Sequence, residues 1–170
     1  MGLIYLNLLS KNVKKKLIKI NKNKFKVIPF KVNENDIFFN KKFDLIISVQ
    51  TLYYLNDIDL KNRLKSFNKM LKKNGHVLFT MMSKNHYLIK EHSNQKKNKS
   101  GLTNVDVSMD KQYKKRQKQS IYNSYINVVK NKNDLLKKFK LFKPLSIGYY
   151  DISLLNNKST HHYIFFGKKF

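Results

Sequence analysis

A chain of 170 residues, 41% of them apolar and 13% aromatic, is long enough to bury one core and too apolar to be a disordered tail. It has no cysteine, which excludes a disulfide scaffold, a thiolate zinc site and a cysteine nucleophile. The formal net charge is +26, yet Arg63 and Arg116 are the only arginines among 36 basic residues, so the two-pronged fork that phosphate-reading surfaces favour is scarce.

The apolar run at 3–9 fits a buried strand. Ser10 or Asn12 can cap a short helix in which Val13, Leu17 and Ile20 recur at helical spacing between lysines. Asn21 and Asn23 break that helix, and Phe25, Val27 and Ile28 predict a second strand ending near Pro29. Residues 32–42 read as a loop or short turn around Ile37, Phe38 and Phe39.

The best-formed stretch is 43–82, FDLIISVQTLYYLNDIDLKNRLKSFNKMLKKNGHVLFTMM. Residues 44–49 have the continuous apolar character of a parallel strand covered on both faces. Asn56 or Asp57 can cap a helix whose Leu60, Leu64, Phe67 and Leu71 form one stripe. Asn74-Gly75 predicts its stop, with glycine in the left-handed conformation, and 76–82 predicts the next strand. Such a connection makes the two strands parallel with a right-handed crossover.

Beyond Ser83 the pattern weakens. His86, Tyr87, Leu88 and Ile89 can start a helix, while 92–120 reads as a mobile basic excursion, a substrate lid if it has a role. Order returns at 122–129, and a short helix over 133–139 turns Leu135, Leu136 and Phe139 inward. Two strands come next, 144–152 and 162–167; the 153–160 loop is long enough for an antiparallel reversal and too short for a crossover helix.

The five glycines, Gly2, Gly75, Gly101, Gly148 and Gly167, are all far apart, so no phosphate-cradling loop or dinucleotide fingerprint is present. The histidines show no metal-ligand spacing, and His161 and His162 open a strand with side chains to opposite faces, which reads as structural or surface. Open parallel sheets bind ligands beyond the carboxyl ends of their strands. Two groups fall there. Ser48, Val49, Gln50 and Thr51, with Tyr53 and Tyr54 one helical step on, are either a small-molecule contact or ordinary turn chemistry. His86-Tyr87 is either a ligand contact or a packed loop pair. Asp44, alone at a strand's start, reads as structural.

The excess of lysine accompanies abundant asparagine, isoleucine, phenylalanine and tyrosine, all with AT-rich codons, and reads mainly as composition. It still predicts salt-sensitive, non-specific adhesion to polyanions. No apolar run reaches the ~18 residues of a membrane span, and MGLIYLNLLS is too short, with no basic segment before it, for a signal peptide. The expected location is cytoplasmic, without a membrane partner.

FDLIISVQTLYYL and LKKNGHVLFTMM, with a helix between them, resemble the fourth and fifth strands of class I S-adenosylmethionine-dependent methyltransferases. IGYYDIS and HHYIFFGKK resemble that family's antiparallel sixth and seventh strands, and IYLNLLSKN its second strand and following turn. The resemblance implies an incomplete Rossmann-like α/β fold over 1–170. Its sheet is mostly parallel with a C-terminal antiparallel hairpin, and helices lie on both faces. The family's order is 3-2-1-4-5-7-6, but its first strand, glycine-rich loop and first helix have no counterpart here. The acidic residue the family carries about two positions before the serine of this segment is replaced by Leu8, with Asn7 beside it, and the one after the third strand falls among Asn33, Glu34 and Asp36. The implied activity is methyl transfer from S-adenosylmethionine to an unidentified acceptor. The implied cofactor contacts are Asn33, Glu34, Ser48 and Gln50, the acceptor-side residues Tyr53, His86 and Tyr87, with no metal and no assigned catalytic residue. A truncated, non-enzymatic remnant and a basic nucleic-acid-binding module are the alternatives, and open sheet edges predict self-association.

Overall fold

The structure is a computed structural model that describes residues 2–4, 25–27, 42–108, 123–152 and 158–170. The chain divides into two compact units, Met1–Asp36 and Ile37–Phe170. In the first, strands β1 (Gly2–Ile4) and β2 (Phe25–Val27) pair in parallel, Leu3 opposite Lys26. The expected helix at Val13–Ile20 and the loop at 32–41, with Asn33, Glu34 and Asp36, lie outside the described residues.

In the second unit, β3 (Phe43–Ser48) leads through a 3-10 turn (Leu52–Tyr54) into helix α1 (Asp57–Met70) and strand β4 (Leu71–Met82). β3 and β4 are parallel, with Ile46 opposite Val77 and Ser48 opposite Phe79, as the 43–82 pattern requires. Asn56, rather than Asp57, caps α1: its side-chain oxygen accepts the Asp59 N–H at 2.9 Å. Asp57 and Asp59 then sit at the positive end of the helix dipole and Lys69 in its last turn. Asn56→Ala is expected to lower the unfolding free energy by about 1 kcal/mol in urea titration, the usual effect of losing an N-cap.

The helix ends sooner than the sequence predicts, at Met70, and Leu71 is already extended. Asn74 carries the left-handed conformation (φ 65) instead of Gly75. Gly75 is required by space: a Cβ there would lie 3.0 Å from Leu71 Cδ2 and 3.1 Å from the carbonyls of Lys72 and Phe43. The glycine lets the start of β4 approach β3.

Helix α2 (Tyr87–His92) comes after β4, then strands β5 (Ser93–Lys97), β6 (Thr103–Asp106) and β7 (Asn123–Ile126), which form an antiparallel sheet in that order. The sequence pattern puts β5 and β6 inside a mobile excursion; the structure orders them as strands. Their signal is a period-two burial of Thr103, Val105 and Val107 that polar neighbours mask. Residues 109–122 lie outside the described residues. Asn127 ties this sheet to the core. Its N–H donates to the Tyr53 carbonyl at 2.7 Å, and its amide nitrogen donates to the Leu55 carbonyl (3.0 Å) and to Asp57 (2.9 Å). Asp57 also pairs with Lys138 at 2.7 Å. Burial raises the Asp57 carboxyl, but the bonds to Lys138 and Asn127 outweigh it and hold the group below its usual range.

Helix α3 (Lys132–Lys138) and the hairpin β8 (Phe142–Tyr150) and β9 (His162–Lys169) complete the unit. The main sheet has the order β3-β4-β9-β8. Only its β3–β4 pair is parallel, and both β9 pairings are antiparallel, so "mostly parallel" does not describe this sheet. Phe79 sits at the centre of its packed face, its ring 5.7 Å from Phe67 of α1 and 5.2 Å from Phe139, which itself lies 5.0 Å from Phe165 of β9. α1 and the end of α3 therefore cover one face. On the other face Leu45 and Ile47 of β3 are exposed, and among the described residues no helix covers them.

Candidate functional site

β3 and β4 run in parallel and finish together, and β9 runs against β4, so the first residues of β9 arrive where β4 ends. Met82 is paired with His162, and His162 in turn with Tyr150 at the end of β8. Four strands thus deliver side chains to one place, the carboxyl ends of the parallel pair. The chain leaves β3 through Gln50, whose φ of 53 is left-handed, an uncommon conformation for a residue with a side chain. The Gln50 N–H donates to Thr80 Oγ1 at 2.8 Å, and its side-chain amide donates to the Tyr150 hydroxyl at 2.8 Å. Ser48 and Thr51 share a hydroxyl–hydroxyl bond of 2.5 Å.

Beneath this polar rim lies a ring cluster. His162 is stacked under Tyr150 with centroids 5.0 Å apart and planes 7° apart. Tyr53 lies 5.8 Å from His162, and His86 meets it edge-on at 5.1 Å. His86 caps α2, its Nδ1 accepting the Leu88 N–H at 3.1 Å, so its proton is on Nε2. Burial, and then the like charges of His162 and His161, push His86 down to about 3. His162 is lowered too, chiefly by burial, against the Thr160 carbonyl that favours its protonated form. Both imidazoles are therefore neutral at neutral pH.

Of the residues singled out from sequence, Ser48, Gln50, Tyr53 and His86 are brought together here, and Asn33 and Glu34 lie outside the described residues. Tyr87 stacks on His86 at 5.2 Å, and its ring also carries the Lys158 ammonium at 5.2 Å and meets His92 edge-on at 6.2 Å. His161 and His162 do project to opposite sides: His161 stacks on Tyr149 at 4.8 Å. Thr80 and Tyr150, which the sequence did not single out, and His162, read from it as structural or surface, meet Gln50 and Tyr53 at this end of the sheet. The findable signal was the antiparallel β8–β9 hairpin, which returns the start of its second strand to the end of β4. Among the described residues no group of three or more His, Asp or Glu side chains can hold a metal. A separate cavity of about 40 Å³, lined by Met82, Leu88, Val105 and Ile126 among others, is far below the ~300 Å³ a ligand pocket needs.

The strand order and the ligand-side cluster define a Rossmann-like domain with the 4-5-7-6 half of a methyltransferase sheet. A family model described as a methyltransferase domain matches residues 8–134. The chain belongs to this family. An S-adenosylmethionine-dependent methyltransferase from Methanosarcina mazei superposes with a TM-score of 0.59 at 10% identity, covering 85% of this chain and 66% of that one. One from Clostridium acetobutylicum gives 0.59 at 16% identity, covering 95% and 72%. The N-methyltransferase NodS from Bradyrhizobium japonicum, in complex with S-adenosylhomocysteine, gives 0.51 at 10%, covering 94% and 63%. At these identities the likeness is one of fold, and the chain spans roughly two thirds of these relatives' length. No curated protein matches it in sequence.

S-adenosylmethionine is the cofactor of this family. At the carboxyl ends of β3 and β4 both imidazoles are neutral and do not repel its positively charged sulfur, and His162 Nε2 is buried without a hydrogen-bond partner.

Proposed function

We propose that this chain carries out, as one methyltransferase domain over 1–170, methyl transfer from S-adenosylmethionine to an acceptor bound at the carboxyl ends of β3 and β4. The observation that carries the reading is the gathering of Ser48, Gln50, Tyr53, His86, Tyr150 and His162 at that end of the sheet. When bound, the cofactor supplies an electrophilic methyl group on a positively charged sulfur. The chain's part is to orient the acceptor in line with that methyl and to keep water out. Ser48 and Gln50, with Asn33 and Glu34, are the cofactor-side residues; Tyr53 and His86, with Tyr87 behind them, are the acceptor side. Residues 92–120, read as a substrate lid, include β5 and β6, and the β5-β6-β7 sheet is anchored through Asn127 to the segment that leaves β3.

No helix of the described residues is long and apolar enough to cross a membrane, and we read the protein as cytoplasmic. The net charge of +26 supports weak, salt-sensitive polyanion binding. Self-association is assigned to the outer edge of β3, which pairs with no strand among the described residues.

A second reading, a remnant that no longer binds the cofactor, is favoured by one observation: the Ser48 and Gln50 side chains are already hydrogen-bonded to Thr51 and Tyr150. Isothermal titration with S-adenosylmethionine decides. Binding at micromolar strength is expected and overturns the remnant reading; no heat at millimolar ligand overturns the enzyme.

A further inference from the structure

The main sheet has two edges, and they are built differently. An edge strand is a template for pairing with another chain, and proteins blunt it with lysine, proline or a bulge. β8 carries all three: Lys143, Pro144 and a register shift between Pro144 and Ser146. β3 has neither lysine nor proline, and its one irregularity falls before Leu45, so Leu45–Ser48 run regularly beside β4. The outer edge of β3 pairs with no strand among the described residues.

Charge points to the same place. Basic residues number 36 in 170, yet the longest stretch of the chain without one runs from Phe43 to Leu60. Two copies of a chain at +26 repel over most of their surface and least along this strand. What β3 shows there is apolar. Leu45 and Ile47 are 46% and 57% exposed on the face that α1 leaves open, and Leu78 and Phe166 continue the Ile47 row across β4 and β9. An acidic partner finds no basic residue in this strand to pair with, whereas the strand complements itself.

We propose that two copies of this chain pair through the outer edges of β3, antiparallel about a two-fold axis at Ile46. A two-fold axis normal to the sheet keeps like faces together, and residues directly opposite share a face, so odd numbers meet odd and even meet even. Centring on Ile46 sets Leu45 against the partner's Ile47 and Ile47 against the partner's Leu45, exposed apolar on exposed apolar. Asp44 then faces the partner's Ser48, and no like charges oppose. Both outer edges of the joined sheet are β8, the blunted strand, so the assembly closes as a dimer and does not grow into a filament. The pairing fixes the partner, direction and register of self-association at this edge, and it does not rest on the methyltransferase reading.

Sedimentation equilibrium of the full chain tests it. A strand-edge interface is small, and a dissociation constant on the order of 10–100 μM is expected. Association should tighten about three-fold or more between about 0.05 and about 0.5 M sodium chloride, because salt screens the repulsion of the two basic bodies. Ile47→Lys supplies the missing edge lysine at an exposed position and should weaken the dimer about ten-fold or more, the change entering a two-fold interface twice. Leu145→Lys alters a comparably exposed apolar residue of β8, at 47%, and should leave the dimer unchanged. Cross-linking reads the register. The chain has no cysteine, so Ile46→Cys supplies its single thiol. Residues paired with themselves on the axis lie about 4.5–5.5 Å apart at Cα, within disulfide reach. Diamide should link Ile46→Cys into a covalent dimer and leave Ile47→Cys, about 7–8 Å from its mate, mostly unlinked. A monomer at about millimolar protein, association that weakens with salt, equal effects of the two lysine substitutions, or Ile46→Cys linking no faster than Ile47→Cys overturns the proposal.

Discussion

Phe79→Ala will lower the unfolding free energy by about 3–5 kcal/mol in urea titration, a large part of the ~5–15 kcal/mol that holds a domain together. Phe79 has no exposed surface, and its ring touches three others: Phe67, Phe139 and Phe142, at 5.7, 5.2 and 5.7 Å between centroids. Those rings come from α1, the end of α3 and the start of β8, so the cavity left by truncation opens where four elements meet. None of them can collapse into it without moving a helix. Ile58→Ala is the control. Ile58 is on α1 but 72% exposed, and its truncation should change stability by no more than about 0.5 kcal/mol. Equal effects of the two substitutions would mean that the packed face is not the one described.

Acidification from pH 7 to pH 5 will destabilise the protein by about 2 kcal/mol through His86 alone. His86 is buried, held at about 3 by that burial first and then by His162 and His161, with Asp151 opposing. Unfolded, the same imidazole titrates near ~6.5. Between those values the unfolded chain binds a proton that the folded one refuses. The stability is full above about 6.5 and is lost as the pH falls toward the folded value. His162 is shifted the same way and adds to the slope. Asp57 is held low instead, so its contribution is lost only at pH values below about 4, outside the window tested. Urea titrations at pH 7 and pH 5 measure the effect. His86→Asn keeps an N-cap acceptor for α2 and should flatten the dependence; a wild-type stability equal at both pH values would show that His86 is hydrated and charged in the folded state.

The two experiments probe parts of the chain that differ in how plainly the sequence announces them. The 43–82 unit was legible almost in full, because both periodicities are clean there: continuous apolar residues in β3, and Leu60, Leu64 and Phe67 on one stripe of α1. The antiparallel relation of β8 and β9 came from a loop too short for a crossover. The exit from α1 was misplaced because Asn74-Gly75 admits two explanations, and only the closeness of Phe43 and Leu71 shows that the glycine is there for room. β5 and β6 were missed because β5 has no apolar residue and β6 has only Val105, so neither shows an alternation long enough to read.

The sequence by itself determined the family and the order of the elements in 43–82 and in the C-terminal hairpin, since these depend on local pattern and on motifs that stay contiguous along the chain. It also placed Ser48, Gln50, Tyr53 and His86 at strand ends. Only the tertiary structure decided what those residues meet. Gln50 and Tyr150 are a hundred residues apart, and His162 reaches His86 only because β9 runs back along β4. Tautomer, burial and the missing hydrogen-bond partner of His162 arise from that meeting, and no single stretch of sequence contains them.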